Sequence, residues 1–210
     1  MQSRIILASS SASRKKLLTL MGLKFDVIPS LIYEDLDNRK TAEDVARDLA
    51  YGKALSVAWR YPDSIVIDAD TIVSLGLRKL GKPKDVIDAI KMLKLLNGKE
   101  HEVITAVAVL RIEDKLQFIG TKKTIVKLKR YNHQLIETYV SQGDSMDWAG
   151  SYNIQSATSM VEYIKGDYDN VVGLPTKMLQ GFLEQMGIQG KEVKLTVPVK
   201  EYHKEHTTKG

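Results

Sequence analysis

Arg4-Ile5-Ile6-Leu7-Ala8-Ser9-Ser10-Ser11-Ala12-Ser13-Arg14-Lys15-Lys16-Leu17-Leu18 decides the reading of the chain. Arg4 to Ala8 is short and apolar, as a buried strand is. The serines then offer turn and N-cap residues for a helix from Ala12 to about Met21, with Gly22 as its C-terminal stop. Leu17, Leu18 and Met21 fall on one helical stripe. A strand handing over to a helix so early predicts β-α alternation, and the following segments continue it. Lys24 to Ile28 reads as a second strand ending at Pro29, and Thr41 caps a helix through Trp59 with Val45, Leu49 and Val57 inward. Ser64 to Ile67 is an apolar strand, and the chain continues through Thr71 to Leu75 into a glycine-bearing turn. Asp85 starts a helix whose stripe is Ile87, Ile90, Leu93 and Leu96, stopped by Asn97-Gly98.

Beyond this point the alternation gives way. Glu102 to Ile112 and Leu116 to Leu128 read as two long strands joined at Glu113-Asp114-Lys115, a hairpin rather than a crossover. Helices follow from Asn132 to Ser141 and from Pro175 to Met186, with an irregular polar stretch from Gln142 to Tyr152 between them. The class is therefore α/β, or mixed α+β, around one extended sheet. In the tail Val193, Leu195, Val197 and Val199 alternate as an edge strand does, Pro198 suits an edge, and Glu201 to Gly210 reads as disordered. The expected division is a domain over residues 1–189 and an extension over 190–210.

The bulk properties narrow the function. At 210 residues, 43% hydrophobic and 27% charged, the chain is of ordinary soluble type and long enough for a substantial core. No apolar run is long enough to span a bilayer and no signal peptide opens it. With no cysteine, disulfides, thiolate zinc sites and cysteine nucleophiles are excluded. The net charge of +5 is spread along the chain, and the aromatics form no stacking platform, so nucleic acid is not the expected partner. The four histidines show no metal-site spacing, and His203 and His206 fall in the tail.

Two clusters carry chemistry. At the start of the first helix, unpaired N–H groups and the helix dipole attract anions. Ser9, Ser10 and Ser11 add hydroxyls, and Arg14 a planar fork for phosphate; the alternative is ordinary capping with a surface arginine. In Ile65-Val66-Ile67-Asp68-Ala69-Asp70-Thr71, the two acids share one strand face. Carboxylates there hold Mg²⁺ or take a proton from water, or are simply solvated. Lys53 lies on the apolar side of its helix and needs an anion. Lys82, in Gly81-Lys82-Pro83, sits on a constrained turn and reads as a phosphate contact or as a solvated lysine, and Glu34, in an irregular loop, reads as a second metal ligand or as a solvated acid. Trp148 and Tyr152, near Gln155, read either as the wall of a base pocket or as core.

Six segments together resemble the Maf family of nucleoside triphosphate pyrophosphatases. They are Leu7-Ala8-Ser9 through Leu18, Ala69-Asp70-Thr71-Ile72-Val73, Gly81-Lys82-Pro83, Leu96-Asn97-Gly98 through His101 to Thr105, Ala149-Gly150-Ser151-Tyr152-Asn153-Ile154-Gln155, and Asn170-Val171-Val172-Gly173-Leu174-Pro175. The resemblance implies a Maf/ITPase-like single elongated domain of two lobes with a central cleft. It implies cytoplasmic hydrolysis of a nucleoside triphosphate to a monophosphate and pyrophosphate with Mg²⁺ or Mn²⁺, and a homodimer. Carried over position by position, Asp70 is the proton acceptor, while Ser9, Arg14, Glu34, Lys53 and Lys82 handle phosphate and metal. Ser13, Thr71 and Gln155 match positions that tune the base. Thr71 and Gln155 point to dTTP and UTP, but Ser13 stands where that branch carries an arginine, which keeps 7-methyl-GTP as the alternative. Asp68 stands where glycine is usual, Trp148 where lysine is, and Ala106 where glycine is. From another class, the rival is a nucleotide-binding regulator of cell division without turnover.

Overall fold

The computed structural model describes residues 3–37 and 39–195. The first strand, β1 (Ile5–Leu7), leads into α1 (Ala12–Leu20), whose N-cap Ser11 accepts from the Arg14 amide. After β2 (Asp26–Val27) comes α2 (Ala42–Ala58), capped by Thr41 and carrying Glu43 and Asp44 in its first turn, where acids complement the helix dipole. Next come β3 (Ile65–Leu75), β4 (Arg78–Leu80) and α3 (Val86–Leu96), capped by Asp85. The hairpin is β5 (Glu100–Arg111) and β6 (Leu116–Leu128), followed by α4 (His133–Ser141) capped by Asn132. Two 3₁₀ turns, Ala149–Ser151 and Ala157–Met160, precede β7 (Val161–Lys165), α5 (Tyr168–Val172) and α6 (Thr176–Gln185).

The strands form one mixed sheet in the order β2-β1-β3-β5-β6-β7, with β4 pairing to the far end of β3. β1 is parallel to β2 and β3, and every later pairing is antiparallel. The expected α/β class with a long antiparallel pair is therefore what the chain adopts. Alternation along β3 sorts its side chains onto the two faces. Ile65, Ile67, Ala69 and Val73 join the larger core, with α1, α3, α4 and α6. Val66 and Ile72 face α2, whose Val45, Ala46, Leu49, Ala50, Ala54 and Val57 pack down on them. Asp68 and Asp70 lie on that same α2 face, opposite the small residues Ala108 and Ala106 of β5. Those small partners leave the space in which the acids and a lysine from α2 fit.

Some expectations needed correction. Ile87 is exposed at 64%, and the buried side chains of α3 are Ala89, Leu93 and Leu96. Ile87, Ile90, Leu93 and Leu96 recur strictly every third residue, and each such step turns about 60° backwards around a helix of 3.6 residues per turn. After three steps the stripe has crossed to the opposite side. The second strand is two residues long rather than five, and β4, β7 and α5 were not anticipated. Val193 and Leu195 are half-buried against the core but pair with no strand among the described residues. Val197, Pro198, Val199, His203, His206 and the stretch 201–210 lie outside the described residues.

Candidate active site

Where β1 passes into α1, a cleft of about 670 Å³ opens over the edge of β3. Its lining brings together Ser9, Ser13, Arg14, Glu34, Lys53, Asp70, Thr71, Lys82 and Gln155, nine residues spread over most of the chain. These candidate residues thus meet in one cavity, whereas Asp68, the other acid of the strand pair, is fully buried and does not line it. Trp148 and Tyr152 line it as well. Tyr152 is buried, with its hydroxyl 2.7 Å from His101 Nε2, so it is both wall and core.

Lys53 is the centre of the acidic side. It projects from the buried face of α2, and its ammonium lies 2.5 Å from Asp70 Oδ1, 3.0 Å from Glu34 Oε1 and 3.6 Å from Asp68 Oδ2. Lys53, Asp68 and Asp70 are buried, whereas the Glu34 side chain remains about half exposed on the loop after β2. That combination sets the protonation behaviour. Burial lifts the Asp70 carboxyl above its ordinary range, and the nearby charges of Lys53 and Arg14 only partly oppose this. Burial pushes Asp68 up to about 7 against the pull of the same two cations. Burial would also raise Glu34, but Lys53, with Lys82 and Arg14 further off, outweighs it and holds Glu34 below its usual value. For Lys53 the loss of water lowers the pKa, yet Asp68 and Asp70 more than reverse it, so the ammonium keeps its charge.

On the opposite side Arg14 is held rigidly. Its Nε donates to the Gly173 carbonyl at 3.0 Å, one terminal nitrogen to Ser9 Oγ at 3.2 Å and the other to Thr71 Oγ1 at 3.2 Å. Three of the five guanidinium N–H groups are thereby spent, and two remain for a ligand. Gly173 adopts φ +111° after α5, and its carbonyl is the one that takes Nε. A Cβ there would stand 3.6 Å from Thr71 Oγ1, and φ in this region disfavours any side chain.

Behind Arg14 runs a directed hydrogen-bond chain. Thr105, fully buried on β5 opposite Thr71, donates to the Asn170 carbonyl at 2.9 Å. A carbonyl only accepts, so the single Thr105 hydrogen is committed to it. Thr71, 3.0 Å away, must then donate to Thr105 and accept from Arg14. The Thr71 hydroxyl consequently offers the cleft a lone pair and no hydrogen. Thr105, Asn170, Gly173 and His101 lay within segments quoted above, but nothing local in the sequence marked their part in holding the site.

Ser9 Oγ accepts the Ser11 amide at 3.2 Å as well as Arg14, which ties the serine turn to the guanidinium. The remaining cation, Lys82, is exposed at the cleft wall on the turn after β4. There Gly150, at φ +71°, donates its amide to the Gly81 carbonyl at 3.0 Å and joins the Lys82 turn to the Trp148–Tyr152 wall. Among the described residues, no three His, Asp or Glu side chains converge as a ready cation cage. The acidic side instead offers two carboxylates, Asp70 and Glu34, facing an open cleft. This suits Mg²⁺ or Mn²⁺, which rest on one or two carboxylates and complete their shell with phosphate and water oxygens.

A sheet of this order with cations and acids facing across one cleft defines a candidate phosphate-handling enzyme. The Maf-like protein family matches residues 4–186, and the chain belongs to that family. A dTTP/UTP pyrophosphatase of Ruminiclostridium cellulolyticum is 42% identical over 184 residues, covering 87% of this chain and 95% of that one. The dTTP/UTP pyrophosphatase of Thermosipho africanus is 42% identical over 186 residues, 88% of this chain and 94% of its own. A looser likeness links the chain to the Ham1 protein of Staphylococcus aureus, with TM-score 0.49 and 13% identity, covering 88% of this chain and 100% of that one.

Proposed function

We propose that this protein hydrolyses the α–β phosphoanhydride of dTTP or UTP, releasing a nucleoside monophosphate and pyrophosphate. The observation that carries the reading is the meeting of Arg14, Lys82, Lys53, Glu34 and Asp70 in one cleft. Relatives about 42% identical over nearly the whole chain are dTTP/UTP pyrophosphatases, which supports the same activity and substrates.

Arg14 directs its two uncommitted N–H groups at phosphate oxygens, and Ser9, Lys82 and the start of α1 add donors. Without a cation Asp70 Oδ1 is engaged by Lys53; the carboxylate oxygen that no cation takes up is the one assigned to orient water and take its proton. Burial makes that carboxylate a stronger base than a solvated aspartate. Glu34 and Asp70 would hold Mg²⁺ or Mn²⁺, which would supply positive charge against the polyphosphate. Thr71, Gln155 and Ser13 all line the cleft and are the residues assigned to reading the base. Because Thr71 offers only a lone pair, it pairs with a base N–H, which the imide of uracil or thymine presents.

A cytoplasmic location and a homodimer accompany this reading, and cell fractionation and light scattering test them. Among the described residues no helix is long and apolar enough to cross a membrane. The deciding experiment incubates the protein with Mg²⁺ and a panel of triphosphates, including dTTP, UTP, CTP and 7-methyl-GTP, and assays pyrophosphate. Turnover led by dTTP and UTP is expected. Tight UTP binding without pyrophosphate release would instead make the protein a nucleotide-binding regulator.

A further inference from the structure

Asp68 is the one charged side chain of the cluster whose place the reaction does not explain. It is fully buried in the middle of β3, and apart from the adjacent Ala69 amide neither of its carboxylate oxygens has a hydrogen-bond partner among the described residues. A buried polar group left without partners is costly, and in a folded protein it calls for a specific reason. The nearest cation is the Lys53 ammonium, 3.6 Å from Oδ2, close enough for attraction but too far for a hydrogen bond. Lys53 gives two of its three N–H groups to Asp70 and Glu34, and at this distance the third does not reach Asp68.

Those two acids are the pair that fits a divalent cation. With the ammonium hydrogen-bonded to both, a second cation entering the same gap meets like-charge repulsion in a partly dry site. The ammonium must then withdraw. Toward the cleft mouth it would follow the cation. In the other direction lies Asp68, with lone pairs to spare. A movement on the order of 1 Å brings Nζ within hydrogen-bonding reach of it.

We infer that Asp68 is a positioning residue that receives the Lys53 ammonium when a divalent cation takes Asp70 and Glu34. The carboxylate has no side-chain hydrogen bond in the cation-free arrangement because its partner arrives with the cation. On this account Lys53 closes the acid pair when the cation is absent and backs it when the cation is present. The inference rests on the metal reading of Glu34 and Asp70 given above, and not on the identity of the nucleotide.

Two measurements without turnover test it. In ¹⁵N-lysine-labelled protein, the Lys53 ammonium resonance, assigned by its loss in Lys53→Arg, should shift as Mg²⁺ is titrated in and remain protected from exchange with water. By calorimetry, Asp68→Asn, which keeps the side-chain volume, should bind Mn²⁺ about ten- to a hundredfold more weakly, the usual effect of losing a residue that positions a metal site. An unmoved Lys53 resonance in protein that has bound Mg²⁺, or unchanged Mn²⁺ affinity in folded Asp68→Asn, overturns the role of Asp68 and leaves the metal reading standing. No binding of either ion by the unaltered protein overturns both. If Asp68→Asn does not accumulate, the Mg²⁺ titration of the unaltered protein decides alone. Pyrophosphate release from UTP is scored separately, so failure of the nucleotide reading is distinguished from failure here.

Discussion

Replacing Thr105 by valine probes the hydrogen-bond chain that holds Arg14. The two side chains have nearly the same shape, so the change deletes a hydroxyl from a fully buried site without opening a cavity. Two contacts go, the 2.9 Å bond to the Asn170 carbonyl and the 3.0 Å bond from Thr71. The carbonyl is not orphaned, because it also accepts the Gly173 amide at 3.1 Å. Thr71 is only half-buried and can turn its hydroxyl toward water in the cleft. The stability loss should therefore be about 1–2 kcal/mol, near the net worth of the lost bonds and short of a full desolvation penalty. The functional effect should be separate from this. Thr71, freed to rotate, no longer fixes the third anchor of Arg14, and its hydrogen can point into the cleft. We expect KM for UTP to rise roughly fivefold, the equivalent of one hydrogen bond, with kcat little changed because the grip is lost equally in ground and transition states. Discrimination of UTP against CTP should weaken, since a hydroxyl that donates can serve cytosine N3. Thr105→Ser should restore both readouts. Urea unfolding and kcat/KM for the two nucleotides are the assays. A folded Thr105→Val with unaltered KM and unaltered discrimination would refute the argument that Thr105 orients Thr71.

The remaining perturbations address other parts of the molecule. Arg14→Lys keeps the charge but cannot serve Gly173, Ser9 and Thr71 in one plane while reaching phosphate; kcat/KM for UTP should fall roughly ten- to a hundredfold, one or two charge-assisted bonds, and a lysine variant with full activity contradicts the clamp. His101 is buried, and burial presses its pKa down to about 4 from the ordinary imidazole value of 6.5, so it folds neutral while the unfolded chain takes up a proton first. Its contribution to stability is intact above pH 6.5 and is lost as the pH falls from there toward 4, in total about 3 kcal/mol. His101→Gln should flatten that part of the stability–pH curve measured by urea unfolding, and an unchanged slope would contradict it.

Much of the frame was legible because local rules governed it. Thr41, Asp85 and Asn132 each cap the helix they precede, and the β5–β6 hairpin turns where Glu113-Asp114-Lys115 sits. Lys53 stood out as a cation on an apolar helix face, and its partners proved to be the nearby acids of β3. What escaped was short or non-local. β7 and α5 span five residues each, too few for a periodicity to register. The anchors of Arg14 come from Thr71 and Gly173, 57 and 159 residues along the chain, and His101 meets Tyr152 across 51. Such contacts follow from the register of β3 against β5 and from the return of α5 to the sheet, neither of which leaves a local signature. Ile87 misled because a strict three-residue spacing imitates an amphipathic stripe while drifting around the helix.

The central claim is that Asp70 activates water beside a polyphosphate gripped by Arg14 and Lys82. Its most direct test is pyrophosphate release from UTP and dTTP, with Mg²⁺, by the unaltered protein and by Asp70→Asn. Asparagine removes the base yet can still pair with Lys53, so the variant should fold and bind nucleotide while losing about 10²–10⁴ in rate. Turnover within a few-fold of the unaltered protein would contradict the account.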